Sequence, residues 1–446
     1  MGRILLKNAT VVNDNRIFPA DILLEDELIL KIEDRISSEG AVKVMDLKGK
    51  YVIPGAIDDQ VHFREPGLTH KGTIATESRA AVAGGITSFM EQPNTNPQTT
   101  TIEALEDKFE IARNSAFANY SFLFGGTNDN LEEIKKLDKK ACSGIKLFLG
   151  SSTGNMLVDN EEVIEKIFRN TEMVISAHCE DESTIKANLA KYKEQFGDDI
   201  PLKYHPLIRS AEACYLSSSR AIALAKKTGA RFHVFHLSTG KETELFRNDI
   251  PLEDKKITAE VCIHHLWFSD EDYDAKGTLI KWNPAVKTAT DRRQLWEALL
   301  DDRIDVIATD HAPHTLEEKN NVYTSAPSGG PLVQHALPAM LERFHSGQIS
   351  LEKIVEKMCH NPAKLFQIKK RGFIREGYYA DLVVLDLNDS WKVTKENIAY
   401  KCGWSPFEGN SFKSRITHTF VNGHLAYGNG NFSQERKAMR LTFNRD

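Results

Sequence analysis

The chain has 446 residues, 41% of them hydrophobic, with 57 basic and 63 acidic side chains and a net charge of -6. This balance excludes an electrostatic case for nucleic acid or an anionic membrane as partner, and Glu132-Glu133-Ile134-Lys135-Lys136 reads as a solvated helix face. Length alone predicts two to four domains, although barrels of alternating strand and helix exceed the usual domain size as single units.

At the amino terminus, Met1-Gly2-Arg3-Ile4-Leu5-Leu6-Lys7 has too short an apolar stretch for a signal peptide, and Leu6 stands where a myristoylation motif needs serine or threonine. No run approaches the ~18 apolar residues of a membrane span. Residues 1–50 carry short alternating strands, among them Ile4-Leu5-Leu6, Val11-Val12 and Ala20-Asp21-Ile22-Leu23-Leu24, without helical periodicity. Eight apolar runs bounded by turn signals follow: Val52 to Ile57 leading into His62, Ile86 to Met90, Tyr120 to Phe124, Ile145 to Leu149, Val174 to Ala177, Phe232 to Phe235, Ile257 to Cys262, and Val306 to Ala308. Stretches with helical spacing separate several of them, such as Leu105, Phe109, Ala112 and Ala116, or Ser210 to Lys227. This alternation predicts an α/β fold, a TIM-type (β/α)8 barrel over residues 51–371, with functional side chains at the carboxyl ends of its strands. Strand patterns return in Ala380-Asp381-Leu382-Val383-Val384-Leu385 and His418-Thr419-Phe420-Val421, so residues 1–50 and 372–446 are expected to pair into one small β-rich domain. The six cysteines, Cys142, Cys179, Cys214, Cys262, Cys359 and Cys402, are dispersed with no CxxC pair, which suits reduced thiols and a cytoplasmic location.

The candidate chemistry sits where those runs end. Ala308-Thr309-Asp310-His311-Ala312-Pro313-His314 delivers an acid into a turn after a strand, where an aspartate can bind a metal and also move a proton. His62, His178 and His236 end other runs and are imidazole candidates for zinc. Gln60 precedes His62 by two residues on the same strand face; a His-x-His pair there would chelate one metal, and here the first member is an amide. Lys146 interrupts the apolar Gly144 to Leu149, where a bare ammonium is costly. Two readings stand for it: the amine snorkels toward the barrel mouth, or it has reacted with carbon dioxide to give a carbamate whose oxygens bridge two cations. His233, three residues before His236, is expected on the opposite face as a structural residue. Neither His264-His265 nor His178-Cys179 is expected to chelate, because consecutive strand residues diverge.

The segment Ala308 to His314, followed by Lys319, resembles the second dihydroorotase signature at every fixed position. Asp58-Asp59-Gln60-Val61-His62-Phe63-Arg64-Glu65-Pro66-Gly67 resembles the first, departing at Gln60, where the family has its first metal histidine. Further matches are Gln92-Pro93-Asn94-Thr95, Ala177-His178-Cys179-Glu180, Phe235-His236-Leu237-Ser238, Asn283-Pro284 and Gly403-Trp404-Ser405-Pro406-Phe407-Glu408-Gly409, from about residue 50 to the carboxyl tail. The chain is thus similar to the dihydroorotases of the cyclic amidohydrolase superfamily. That resemblance implies metal-assisted hydrolysis of dihydroorotate to N-carbamoyl-aspartate, and the reverse condensation, in pyrimidine synthesis. It implies Zn2+, one or two per chain, at His62, Lys146, His178, His236 and Asp310, with Asp310 as the catalytic proton shuttle. It also implies that Arg64 holds the substrate carboxylate, that Asn94, Asn283 and His314 orient the ring, and that Ser328 and Gly329 contribute backbone contacts from the loop Ser325 to Gly330.

Lys146 looks like the carbamylated, N6-carboxylated branch shared with hydantoinases and allantoinases, and Gln60 leaves one metal position weakened. For Arg64 the plain alternative is a surface salt bridge with Glu65. The same-class alternative is an allantoinase or dihydropyrimidinase (hydantoinase), against which stand Arg64 and Asn94, the clamp a carboxylate-bearing ring needs. From another class comes a non-catalytic homologue serving as partner subunit. Gln60 favours it, and the five other ligand positions oppose it. The expected partner is a small-molecule substrate, with no nucleic acid and no membrane, and homo-oligomerisation is left open.

Overall fold

The structure is a computed structural model and describes residues 2–41, 43–150 and 156–445. Among these residues, eight parallel strands form a barrel: β1 (Ala56–Val61), β2 (Ile86–Glu91), β3 (Asn119–Gly125), β4 (Gly144–Phe148), β5 (Ile175–His178), β6 (Phe232–Val234), β7 (Ile257–Cys262) and β8 (Val306–Ala308). They pair in sequence order. The ring closes where His62 N donates to His311 O at 2.7 Å and Thr309 Oγ1 donates to Asp58 Oδ2 at 2.6 Å. Strands β2, β3 and β4 are buried along their whole length, as a parallel sheet covered on both faces requires.

The helices follow the spacing read from the sequence. In Ile102–Ser115, Leu105, Phe109 and Ala112 are buried on one face, and Thr101 caps the start by accepting from Ala104 N. Ala211–Thr228 begins behind Ser210, which accepts from Ala213 N, and stops at Gly229, whose left-handed φ of 76° ends the helix. No helix among the described residues is long and apolar enough to cross a membrane.

Strands from both ends of the chain build a separate nine-stranded sheet in the order Asn431–Phe432, His424–Gly428, Arg415–Val421, Leu382–Asp386, Tyr51–Pro54, Arg3–Asn13, Arg16–Glu25, Leu28–Glu33, with Lys43–Asp46 also paired to Arg3–Asn13. Strand alternation splits its side chains between two cores. Val52, Leu382 and Val384 pack with Leu6, Val11 and Ile22 inside the sheet's own core, whereas Ile53, Val383 and Leu385 join the main barrel core.

Two features differ from the sequence reading. The run Val52 to Ile57 is two strands, one in each sheet, divided at Gly55. A Cβ there would lie 2.0 Å from Thr87 Oγ1, so the chain passes only with glycine. The last residues also leave the terminal sheet: Leu441 N donates to Tyr120 O at 2.9 Å, and Arg445 donates to Ser143 O and Phe366 O at 2.8 Å each. Leu441 and Phe443 join Phe366, Ile57, Val174 and Val306 in an apolar plug under the amino-terminal ends of the strands. The barrel is sealed at that end and opens at the other.

Candidate active site

His62, Arg64, Asn94, Lys146, His178, His236, Asn283, Asp310, His314, Ser328 and Gly329 all line one cavity of about 280 Å³. His178 ends β5, while His62, His236 and Asp310 lie one or two residues beyond β1, β6 and β8, so the cavity occupies the carboxyl-terminal mouth of the barrel.

His178 and His236 face each other, with Nδ1 of the first 3.0 Å from Nε2 of the second and ring planes at 79°. Glu180 Oε2 lies 2.9 Å from His178 Nε2 and is contacted in turn by Arg209. That contact lies off the hydrogen-bond direction, since Nε2 is buried without a hydrogen-bond partner, and Nδ1 is the nitrogen that faces His236. His236 Nδ1 is buried without a hydrogen-bond partner. Across the cavity, His62 Nε2 lies 3.2 Å from Asp310 Oδ1, and its Nδ1 lies 2.8 Å from Asn94 Oδ1. Both His236 (φ 42°) and Asp310 (φ 48°) have left-handed backbones, strain of the kind that gathers at functional sites.

Burial holds the imidazoles of His62, His178 and His236 below the usual range; the carboxylates of Asp310 and Glu180 oppose it at the first two, and His178 and Lys146 add to it at the third. All three are therefore neutral donors near pH 7. Lys146 Nζ lies 4.0 Å from the ring centroid of Phe235 and 4.9 Å from that of Phe148. Burial pushes its pKa down to about 7 against the pull of Glu260 and Asp310, so a large share of the amine is uncharged at neutral pH. Neutral imidazoles facing at 3.0 Å, an orphaned ring nitrogen and an adjacent carboxylate make a donor set that fits a cation, since two nitrogens on tetrahedral zinc stand roughly 3.3 Å apart.

Arg64 follows His62 by two residues and turns into the cavity wall with φ 71°. Its Nε donates to Pro313 O at 3.1 Å, and its Nη2 lies 3.0 Å from His314 Nε2, leaving donors for a ligand. Burial lowers its pKa to about 10, which still leaves a cation at neutral pH. Glu65 points elsewhere and accepts from Ile74 N at 2.8 Å. Asn283 Oδ1 is buried without a partner. The loop carrying Ser328 and Gly329 is held from below by Lys319, whose Nζ donates to Pro327 O at 2.9 Å and Gly329 O at 2.7 Å. Gly329 has φ 123°, and a Cβ on it would lie 2.6 Å from Ala312 O.

The cavity also takes Phe148, the last residue of β4, and Arg209 and Trp282, which strand-end reasoning does not reach. Arg209 stands just before the Ser210 helix cap, and that position is the one local signal for it. His264 stacks on Trp282 at 4.4 Å and His265 Nε2 meets Pro284 O at 3.1 Å; neither lines the cavity. His233 differs from expectation. It points into the barrel, toward Asp59 and Glu260, because the chain leaves the strand after Val234 and the left-handed turn at His236 ends the alternation.

Residues 51–426 match the model of the amidohydrolase family. The chain is 33% identical over 420 residues to the dihydroorotase of Methanosarcina mazei, covering 92% of this chain and 91% of that one. It is 35% identical over 440 residues to the dihydroorotase of Carboxydothermus hydrogenoformans, covering 95% and 97%. Among solved structures, the L-hydantoinase (dihydropyrimidinase) from Arthrobacter aurescens superposes with a TM-score of 0.92 at 29% identity, covering 98% of both chains.

Proposed function

This chain belongs to the amidohydrolase family, and we propose that it acts within that family as a dihydroorotase, interconverting dihydroorotate and N-carbamoyl-aspartate for pyrimidine synthesis. The observation that carries the reading is Arg64: a guanidinium 7% exposed, fixed by Pro313 O and His314, in the wall of the cavity that holds the clustered histidines. A planar cation there matches a cyclic amide bearing a carboxylate. The likeness to an L-hydantoinase favours the second reading, a ring-opening hydantoinase or dihydropyrimidinase, for whose uncharged rings that buried cation has no partner.

His62, Lys146, His178, His236 and Asp310 would hold one or two divalent cations, zinc by the chemistry of the donors, with Lys146 entering as its carbamate. A cation held there supplies polarisation of the ring carbonyl and a lowered pKa for water. Asp310, 3.2 Å from His62, takes the proton from the attacking water and delivers it to the ring nitrogen as the C–N bond breaks. Arg64 grips the carboxylate with paired N–H donors, while Asn94, Asn283 and His314 hydrogen-bond the ring and the Ser328-Gly329 backbone closes one side. Six free cysteines, five of them buried, support a reducing cytoplasmic location.

The test is turnover of dihydroorotate against hydantoin, dihydrouracil and allantoin by purified protein of measured metal content. Dihydroorotate is expected to lead by orders of magnitude in kcat/KM. Equal or better turnover of any competitor overturns the assignment.

A further inference from the structure

Beneath the cavity, the barrel interior holds a second group of ligand-type side chains. Asp59 on β1, His233 on β6 and Glu260 on β7 meet across the barrel, each fully buried, and none of them lines the cavity above. His233 Nε2 lies 3.4 Å from Asp59 Oδ2 and 3.4 Å from Glu260 Oε2. Neither oxygen of Asp59 has a hydrogen-bond partner. The far side of the imidazole is engaged: Nδ1 lies 2.8 Å from Thr258 Oγ1, whose own proton points to Phe232 O at 3.5 Å. Nδ1 is thus turned toward Thr258, and Nε2 is the nitrogen that faces the two carboxylates.

Two carboxyl groups and an imidazole converge here in a dry core, where every charge needs a partner. Burial lifts the Glu260 carboxyl well above its usual range and, against burial, the two carboxyl groups lift His233 to about 9, so protons can balance the charge, but at 3.4 Å they leave both oxygens of Asp59 without a hydrogen bond. The spacing suits a larger charge. Two of the nitrogen–oxygen distances are 3.4 Å and one donor atom of each residue lies within 4.8 Å of the others, a spacing that lets one ion reach all three at the bond lengths of first-row divalent ions to nitrogen and oxygen. The Nδ1 contact to Thr258 is the outer hydrogen bond that fixes the tautomer of a metal-bound imidazole.

We propose that Asp59, His233 and Glu260 bind a divalent first-row metal ion in the barrel core, separate from the cavity above. Its place ties β1, β6 and β7 together beneath that cavity. It also steadies the backbone of His236, whose N–H donates to the other oxygen of Glu260 at 3.1 Å. The role is structural, since the ion has no access to a substrate.

The test is anomalous scattering at the metal edge from crystals of the intact protein prepared with zinc or with manganese. A peak is expected equidistant from Asp59, His233 and Glu260, separate from any peak among the cavity residues. Metal analysis of folded Asp59→Asn is expected to show one ion per chain fewer than the unaltered protein, while Arg64→Ala keeps the full count. Absence of the core peak with both metals overturns the proposal on the unaltered protein alone, whether or not the variant folds. An unchanged metal count in folded Asp59→Asn overturns it as well.

Discussion

Nδ1 of His178 lies 3.0 Å from Nε2 of His236, and Glu180 stands 2.9 Å behind the first ring. Glu180 sets a negative charge beside Nε2, while Nδ1 faces His236 between β5 and β6. Arg209 in turn pins Glu180. The setting of His178 thus depends on a carboxylate outside the cavity lining and on Arg209, which lines the cavity and contacts that carboxylate.

Glu180→Gln should therefore weaken metal binding by roughly 10- to 100-fold, the usual cost of disturbing a group behind a metal histidine. Competition with a chelator measures this directly on the purified protein. Unchanged affinity would mean that ring packing alone, not the Glu180 charge, readies His178.

Arg64→Ala should raise KM for dihydroorotate strongly and lower kcat/KM by about 10²- to 10³-fold, since a lost charge-assisted pair costs a few kcal/mol. Metal content should stay constant, because Arg64 contacts Pro313 and His314 rather than the histidine cluster's own donors. Arg64→Lys should recover only part of the loss, as an ammonium offers no planar fork. A KM unchanged in Arg64→Ala would remove the observation on which the substrate assignment rests.

Lys146 combines an apolar setting with a pKa pushed by burial to about 7. Carbon dioxide reacts with the uncharged amine, so carbamate formation rises as pH passes up through about 7 and falls below it. At fixed dissolved CO2, stripped protein should take up zinc about tenfold faster at pH 8 than at pH 6, following the neutral fraction of the amine. Lys146→Ala should lose metal and activity together, with partial rescue by short carboxylic acids. A bare ammonium seen at high resolution in a metal-loaded, active enzyme would sink the carbamate.

Much of this was legible in the chain because parallel barrel strands are short apolar runs, and the polar residue after each run falls at the open mouth. His62, His178, His236 and Asp310 are all found by that rule, and Arg64 follows His62 by two residues. The rule fails where backbone geometry departs from the strand. His233 shares the interior with His236 because the left-handed turn at the latter breaks the period of two. Gly55 splits one apolar run between two sheets, a division set by the closeness of Thr87 rather than by hydrophobicity. Arg209 and Trp282 reach the cavity from connections between elements, where no periodicity exists to place them.

Gln60 lines the cavity beside His62 at 1% exposure, and its Oε1 accepts from Cys262 Sγ at 3.5 Å. A neutral amide oxygen replaces an imidazole poorly on zinc, so the position shared by His62, Asp310 and the Lys146 carbamate should bind more weakly than the one at His178 and His236. Purified protein should then carry metal nearer one than two equivalents in the cavity, counted by anomalous peak occupancy so that the barrel-core ion is not included. Gln60→His should raise that occupancy, and the added imidazole has room only if Cys262 gives up its contact. Two fully occupied cavity positions in the unaltered protein, or no change in occupancy and rate on Gln60→His, would show the amide to be harmless and would take away the main support for a non-catalytic partner subunit.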